Sequence, residues 1–167
     1  MTLCDPLPGA EVADAPDLPA GVPPLTAFYL YLTSGCNLRC RHCWISPQYT
    51  PDGPAPDQAL PLPLLRQAVA QAKPLGLRHA KLTGGEPTLH PQFTEIADYL
   101  SAEGLSLDMA TNGTLIDAAL ARHLREHTRL EFVSVSIDGP TPEVHDDLRG
   151  VPGAFERAMR TLDVLQE

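Results

Sequence analysis

Short apolar runs of strand length alternate four times with stretches of helical periodicity along this chain of 167 residues. The runs at 27–33, 80–83, 105–110 and 132–137 predict strands. Helices are predicted over 62–73, from Phe93 to the stop at Gly104, over 117–126, and from Phe155 to the end of the sequence. This order predicts an α/β fold with a parallel sheet, right-handed crossovers and helices on its outer face.

Two proline-rich segments interrupt this pattern. Residues 1–24 contain six prolines and several acidic residues with little apolar periodicity, which predicts a flexible leader. Residues 25–167 are then expected to form a single core domain. Residues 46–61 contain five prolines and Gly53, so this connection is expected to lack regular structure.

Composition and charge exclude several classes of function. The chain is 43% hydrophobic, but it has no apolar run long enough to span a membrane. The net charge of −9 argues against a nucleic-acid surface, because phosphate binding requires clustered Lys and Arg. No secretory signal is present, and four cysteines are few for a disulfide framework, so a reducing cytoplasm is the expected location.

Three of the four cysteines, Cys36, Cys40 and Cys43, lie in one loop directly after the first predicted strand. Thiolates this close together suit an iron–sulfur cluster or zinc. A cube of four irons takes four cysteines, and the only other one, Cys4, lies far upstream in the leader. A cluster in this loop would therefore keep one iron open for chemistry. The alternative is a zinc site whose fourth ligand is one of three histidines, His42, His79 or His90.

The spacing C-x-x-x-C-x-x-C after a strand resembles the radical S-adenosylmethionine (radical SAM) superfamily. Three further segments resemble the motifs of that family, in the expected order and each at the end of a predicted strand: Gly84-Gly85-Glu86-Pro87, Thr111-Asn112-Gly113-Thr114 and Ser134-Val135-Ser136-Ile137-Asp138-Gly139. The set is most similar to the SPASM-associated members and to the molybdenum-cofactor cyclase.

The resemblance implies a partial (β/α) barrel. It covers roughly residues 27–160, with about four βα units where the family core usually has six. The barrel is therefore expected to be truncated, or to be completed by a partner.

The resemblance also implies the cofactors and their ligands. Cys36, Cys40 and Cys43 would hold a [4Fe–4S] cluster, and S-adenosyl-L-methionine would chelate the fourth iron. The residues expected to contact S-adenosylmethionine are His42, Gly84, Gly85, Glu86, Ser136, Asp138 and Arg149.

The resemblance assigns each of these contacts a part of the cofactor. His42 would lie against the adenine, and Gly84 and Gly85 would let the backbone approach the methionine amino group. Glu86 would accept from that ammonium or from a neighbouring amide.

The contacts at the end of the fourth strand are Ser136 and Asp138, near the ribose hydroxyls. Their side chains would face the barrel interior if Val133, Val135 and Ile137 pack on the helices. Arg149 closes an H-D-x-x-R-G segment and would pair with the cofactor's carboxylate.

Each of these motifs also has an ordinary structural interpretation. The two glycines suit any turn, Glu86 could cap local N–H groups, and Arg149 could form a surface ion pair.

The activity implied by the resemblance is reductive cleavage of S-adenosylmethionine to a 5′-deoxyadenosyl radical that abstracts hydrogen from a substrate. The substrate would be a peptide or protein, or a small-molecule cofactor precursor, and an electron donor such as a flavodoxin or ferredoxin would serve as partner. Two alternatives remain open. The chain could be a non-catalytic iron–sulfur or zinc binding module, or an interaction subunit completed by a partner chain.

Overall fold

The computed structural model of the chain describes residues 17–51, 53 and 58–166. Most of the predicted leader, including Cys4, lies outside these residues, so the leader and the domain boundary stay predictions. The strands are β1 (Ala27–Tyr31), β2 (Gly35–Cys36), β3 (Gln48–Tyr49), β4 (His79–Thr83), β5 (Ser106–Thr111) and β6 (Leu130–Val135). The helices are α1 (Leu62–Ala72), α2 (Phe93–Ala102), α3 (Ala118–His127), α4 (Pro142–Arg149) and α5 (Ala154–Gln166).

A four-stranded sheet in the order β1-β4-β5-β6 forms the centre of the fold. All three strand pairs are parallel, and at least one helix follows each strand along the chain. The predicted α/β fold with about four βα units is therefore confirmed. A parallel sheet places the carboxyl ends of its strands at one edge, which is where folds of this class build their sites.

The two faces of the sheet differ in burial. Leu30, Leu82 and Met109 alternate onto one face and pack in the core with apolar side chains of the helices, such as Val69 and Ile96. Tyr29 and Tyr31 of β1 and Phe132 of β6 are exposed. One face of the sheet thus packs against the helices, because successive side chains of a strand point to opposite faces.

The fourth main strand begins and ends earlier than the sequence predicts. It covers Leu130–Val135 instead of 132–137, and its register with β5 shifts between Leu107 and Asp108. Ser136 and Asp138 therefore lie in the segment after the strand. Ile137 is exposed and does not pack on the helices. Beyond the strand, the backbone N–H of Asp138 donates to His145 Nδ1 of α4 at 3.2 Å.

The connection at 46–61 is partly regular, which corrects the prediction. Gln48–Tyr49 pairs in parallel with Gly35–Cys36 in a second, two-stranded sheet. Pro47 and Pro51 flank this pair and remove no donor within it. Helix α4 was also not predicted, although Pro142 at its start and Gly150, with φ of 70°, just after it are typical of helix ends.

Candidate functional site

The glycine motif after β4 packs against the backbone that leads into the cysteine loop. The N–H of Gly85 donates to Thr33 O at 2.8 Å, and the N–H of Glu86 donates to Gly35 O at 2.9 Å. Gly84 has φ of 129°, and a Cβ on Gly85 would lie 2.0 Å from Gly35 O. Glycine is therefore required at both positions by this close approach. The contact of these glycines with S-adenosylmethionine stays a prediction.

Glu86 is fully buried, and both oxygens of its carboxylate accept hydrogen bonds from other groups of the protein. Its Oε1 accepts from the backbone N–H and hydroxyl of Thr88 at 3.2 and 2.6 Å, and from the hydroxyl of Thr111 at 2.8 Å. Its Oε2 accepts from the N–H of Asn112 at 2.7 Å. Burial raises the pKa of Glu86, while these hydrogen bonds act in the opposite direction. In the described residues Glu86 thus ties the end of β4 to the end of β5, which is the capping role named as its alternative.

Asn112, at the end of β5, links this carboxylate to the cysteine loop. Its side-chain Nδ2 donates to Asn37 Oδ1 at 2.8 Å and to Cys36 Sγ at 3.8 Å. Its Oδ1 accepts from the N–H and the hydroxyl of Thr114 at 2.9 and 2.7 Å. The sequence contained this motif, but only the fold brings Asn37 and Asn112 together.

The three cysteines of the loop carry free thiols. Cys36 is buried, and Cys40 and Cys43 are half-buried. Burial raises the pKa of the Cys36 thiol to about 11. Cys36 Sγ also accepts from the N–H of Leu38 at 3.4 Å, and Cys40 Sγ accepts from Arg149 Nη1 at 3.6 Å. Three thiols on one loop, two of them facing N–H donors, fit a cluster that is bound through thiolates.

Arg149 at the end of α4 brings together residues that the sequence analysis named separately. Its Nε lies 2.7 Å from Asp138 Oδ2, and its Nη1 donates to Cys40. His42 Nε2 lies 3.5 Å from the same Asp138 oxygen. Arg149 is buried, so its positive charge acts on the thiol and the carboxylate with little screening. Its interpretation as a surface ion pair is therefore wrong, and its contact with the cofactor's carboxylate stays a prediction.

The cysteine loop is fixed to α4 by its backbone as well. The N–H groups of Arg39 and Arg41 donate to the carbonyls of Arg149 and Leu148 at 2.9 and 3.0 Å. Gly150 makes room for this contact, since a Cβ there would lie 2.5 Å from Arg39 O. The loop is thus held between the glycine motif on one side and α4 on the other.

Ser136 lies in the segment after β6, and His145 lies in α4 beside that segment. The N–H of Ser136 donates to Thr111 O at 3.0 Å, which keeps this segment beside β5. His145 is fully buried, and its ring packs edge-on against Phe155 with centroids 5.6 Å apart. Burial lowers the pKa of His145, and the nearby Arg149 charge adds to this. The predicted contacts of Ser136, Asp138 and His42 with S-adenosylmethionine stay predictions.

Two of the three histidines that could complete a zinc site have other partners. His79 lies 3.5 Å from Asp108 Oδ2 and 3.0 Å from Ser106 Oγ, and His90 Nε2 lies 3.0 Å from Leu60 O. Within residues 17–51, 53 and 58–166, no three His, Cys, Asp or Glu side chains are gathered around a point that one metal ion could occupy. A four-iron cube binds its cysteines at separate corners and spaces them more widely than a single ion does.

Comparison with known proteins identifies the family. The family model described as "Radical SAM superfamily" matches residues 30–167. The chain belongs to the radical SAM superfamily. This family uses a [4Fe–4S] cluster and S-adenosylmethionine, the two cofactors expected from the cysteine loop and the motifs after it.

Similar proteins include a heme synthase and a bacteriocin biosynthesis protein. The chain is 39% identical over 138 residues to the AdoMet-dependent heme synthase of Methanosarcina barkeri (strain Fusaro / DSM 804), covering 81% of this chain and 38% of that protein. It is 31% identical over 139 residues to the antilisterial bacteriocin subtilosin biosynthesis protein AlbA of Bacillus subtilis (strain 168), covering 81% of this chain and 29% of that protein. The chain thus spans only about a third of the length of these relatives.

A solved structure agrees with these relatives. The structure of native anSMEcpe with bound AdoMet and the Cp18Cys peptide matches with a TM-score of 0.66 and 28% identity, covering 86% of this chain and 40% of that one. The partial barrel of this chain is therefore a radical SAM fold. No helix in the part of the chain that the structure describes is long and apolar enough to cross a membrane.

Proposed function

We propose that this chain forms the cluster- and cofactor-binding part of a radical SAM enzyme that modifies a peptide or protein. The observation that carries the proposal is the loop with Cys36, Cys40 and Cys43, which the glycine motif and α4 hold at the carboxyl edge of the sheet. Its three free thiols leave one iron of a four-iron cluster without a cysteine ligand.

The residues around the loop have distinct tasks in this proposal. The three thiolates would hold the cluster, and Arg149 and Asn112 would donate to two of them. Asp138, fixed by Arg149, would offer its carboxylate to the ribose hydroxyls of S-adenosylmethionine. When bound and reduced, the cluster would supply the electron that cleaves S-adenosylmethionine to methionine and a 5′-deoxyadenosyl radical.

S-adenosylmethionine would also contact the glycine motif and the cysteine loop. The backbone at Gly84 and Gly85 would contact its amino group. Glu86 would hold the motif in place through its hydrogen bonds to Asn112 and Gly35. His42 is exposed at the loop and would cover the adenine. Ser136 follows β6 at the same edge and would support the ribose.

A peptide or protein substrate is supported by the solved structure that holds both AdoMet and a peptide, and by the bacteriocin biosynthesis protein. A second candidate substrate is a cofactor precursor of the porphyrin class, which the 39% identity to a heme synthase favours. The partner that delivers the electron would be a small redox protein such as a flavodoxin or ferredoxin. We place the enzyme in the cytoplasm, where thiols stay reduced.

The cofactor part of the proposal is tested by anaerobic reconstitution with iron and sulfide, followed by electron paramagnetic resonance of the reduced chain. We expect a [4Fe–4S] signal that S-adenosylmethionine perturbs. Cys40→Ala should abolish it, whereas the matched control Cys4→Ala should keep it, because Cys4 lies far from the loop in sequence. Zinc without sulfide, or a cluster that does not respond to S-adenosylmethionine, would instead support the non-catalytic module.

The substrate part needs a separate measurement. Formation of 5′-deoxyadenosine is compared with a peptide substrate, with a porphyrin, and with neither, in the presence of a chemical reductant. A rise with the peptide alone supports peptide modification, and a rise with the porphyrin alone overturns it. Activity that appears only in a defined complex, identified by light scattering, would indicate a subunit completed by a partner chain.

A further inference from the structure

A closed ring of hydrogen bonds joins three side chains beside the most buried cysteine. Asn112 Nδ2 donates to Asn37 Oδ1 at 2.8 Å, and Asn37 Nδ2 donates to Thr114 Oγ1 at 2.8 Å. The hydroxyl of Thr114 then donates to Asn112 Oδ1 at 2.7 Å. Every member of the ring both donates and accepts, so the three bonds point in one direction and strengthen one another.

The ring decides how the Asn112 amide is oriented. Its oxygen also accepts from the backbone N–H of Thr114 at 2.9 Å, and a flipped amide would turn its NH2 group toward that donor. An amide nitrogen has two protons, and Asn37 takes only one of them. The other proton is left for Cys36 Sγ, which lies 3.8 Å from Asn112 Nδ2.

The position of Asn112 is fixed from outside the cysteine loop. Its backbone N–H donates at 2.7 Å to the buried carboxylate of Glu86, and the residue follows directly on β5. Asn112 and Cys36 are both buried, so water does not compete strongly for this contact. The backbone of Asn112 is therefore held by the sheet, whereas the orientation of its side-chain amide depends on Asn37 and Thr114.

We propose that Asn112 is a positioning residue that donates to the Cys36 thiolate and raises the reduction potential of the bound cluster, with Asn37 and Thr114 fixing its orientation. Hydrogen bonds to cysteine sulfur stabilise the more negative, reduced form of a cluster and so shift its potential upward. The proposal rests on the proposed function, because it concerns the cluster that this loop would hold.

The test is the midpoint potential of the reconstituted 167-residue chain, measured by electron paramagnetic resonance during redox titration. We expect Asn112→Leu, which removes the donor without adding charge, to shift the potential to a more negative value. Thr114→Val, which opens the ring, should give a smaller shift in the same direction. In the Asn112→Leu background, Thr114→Val should leave the potential unchanged, because the donor that Thr114 orients is then gone.

Thr88→Val is the matched control for a purely structural effect. The Thr88 hydroxyl donates to Glu86 Oε1 at 2.6 Å in the same buried network, but it has no contact with a sulfur among those described. This variant should lower stability and leave the potential unchanged. An unchanged potential in Asn112→Leu, or an equal shift in Thr88→Val, would overturn the proposal.

A second measurement on the cluster-free chain separates this inference from the proposed function. The side-chain amide resonance of Asn112 in a ¹H–¹⁵N spectrum should move in Cys36→Ala and stay in place in Cys43→Ala. If the wild-type chain assembles no cluster, the proposed function fails, while the spectrum still decides whether Asn112 contacts Cys36. A resonance that does not move in Cys36→Ala would refute that contact.

Discussion

A single methyl group on Gly85 should separate the glycine motif from the cysteine loop. In Gly85→Ala the new Cβ would lie 2.0 Å from Gly35 O and 2.6 Å from Gly35 C, whereas real Cβ contacts essentially never fall below 3.0 Å. The obstacle is backbone on both sides, so no side chain can rotate away. Gly85 does not have a positive φ, and the clash alone therefore carries the effect.

The expected loss of stability in Gly85→Ala has two causes, overpacking and one weakened hydrogen bond. An extra methyl group in a packed site costs about 1–3 kcal/mol. Moving the two backbones apart by about 1 Å would also stretch the 2.9 Å bond from Glu86 N to Gly35 O, at a cost of about 1 kcal/mol. We therefore expect Gly85→Ala to lower the free energy of unfolding by about 2–4 kcal/mol and Tm by about 5–15 °C.

Thermal unfolding and iron content after reconstitution measure this effect. The control is Gly104→Ala, since Gly104 has φ of 83° and a Cβ added there would meet nothing within 4 Å. That variant should cost only the strain of a left-handed residue, about 1 kcal/mol, and should bind iron as the wild type does. A Gly85→Ala chain with wild-type Tm and iron content would refute the proposed contact between motif and loop.

Three further substitutions test other parts of the structure. Burial lowers the pKa of His90, so its contribution to stability is present above about pH 6.5 and is lost as the pH falls. In His90→Gln the free energy of unfolding, measured with urea at several pH values, should therefore depend less on pH. Thr161→Val removes the donor to Gly113 O at 2.5 Å and should lower the unfolding free energy by about 1 kcal/mol, measured with urea; no change would contradict this role. In Arg149→Lys the ammonium group cannot contact Cys40 and Asp138 together, so the bound cluster should decay several-fold faster in air than in the exposed control Arg41→Lys. Equal cluster lifetimes in the two variants would count against this role of Arg149.

The order of elements could be predicted because the core imposes simple periods on the sequence. Helix α1 and strands β4 and β5 fall within one or two residues of their predicted bounds, since their buried side chains repeat at the spacing of a helix or a strand. Strand β6 was displaced by two residues. Its apolar run continues to Ile137, but the paired register with β5 ends at Val135. The register shift at Leu107 cannot be recognised from the side-chain pattern.

The candidate site also combines residues that could be predicted from the sequence with contacts that only the fold creates. Cys36, Cys40 and Cys43 and the motifs at the strand ends could be found in the sequence because their chemistry depends on residue type and local spacing. Their partners could not, because Asn37 and Asn112, or Cys40 and Arg149, are far apart along the chain and meet only across the sheet edge.

The sequence by itself determined a parallel α/β fold and a cysteine loop suited to an iron–sulfur cluster, because local periodicity and ligand type are properties of short segments. Only the tertiary structure decided that Gly85 packs against the loop backbone and that the Glu86 carboxylate accepts its hydrogen bonds from protein groups. It also decided that Arg149 contacts both Cys40 and Asp138. Those facts depend on distances between separate strands and helices, which are set by packing of the whole sheet.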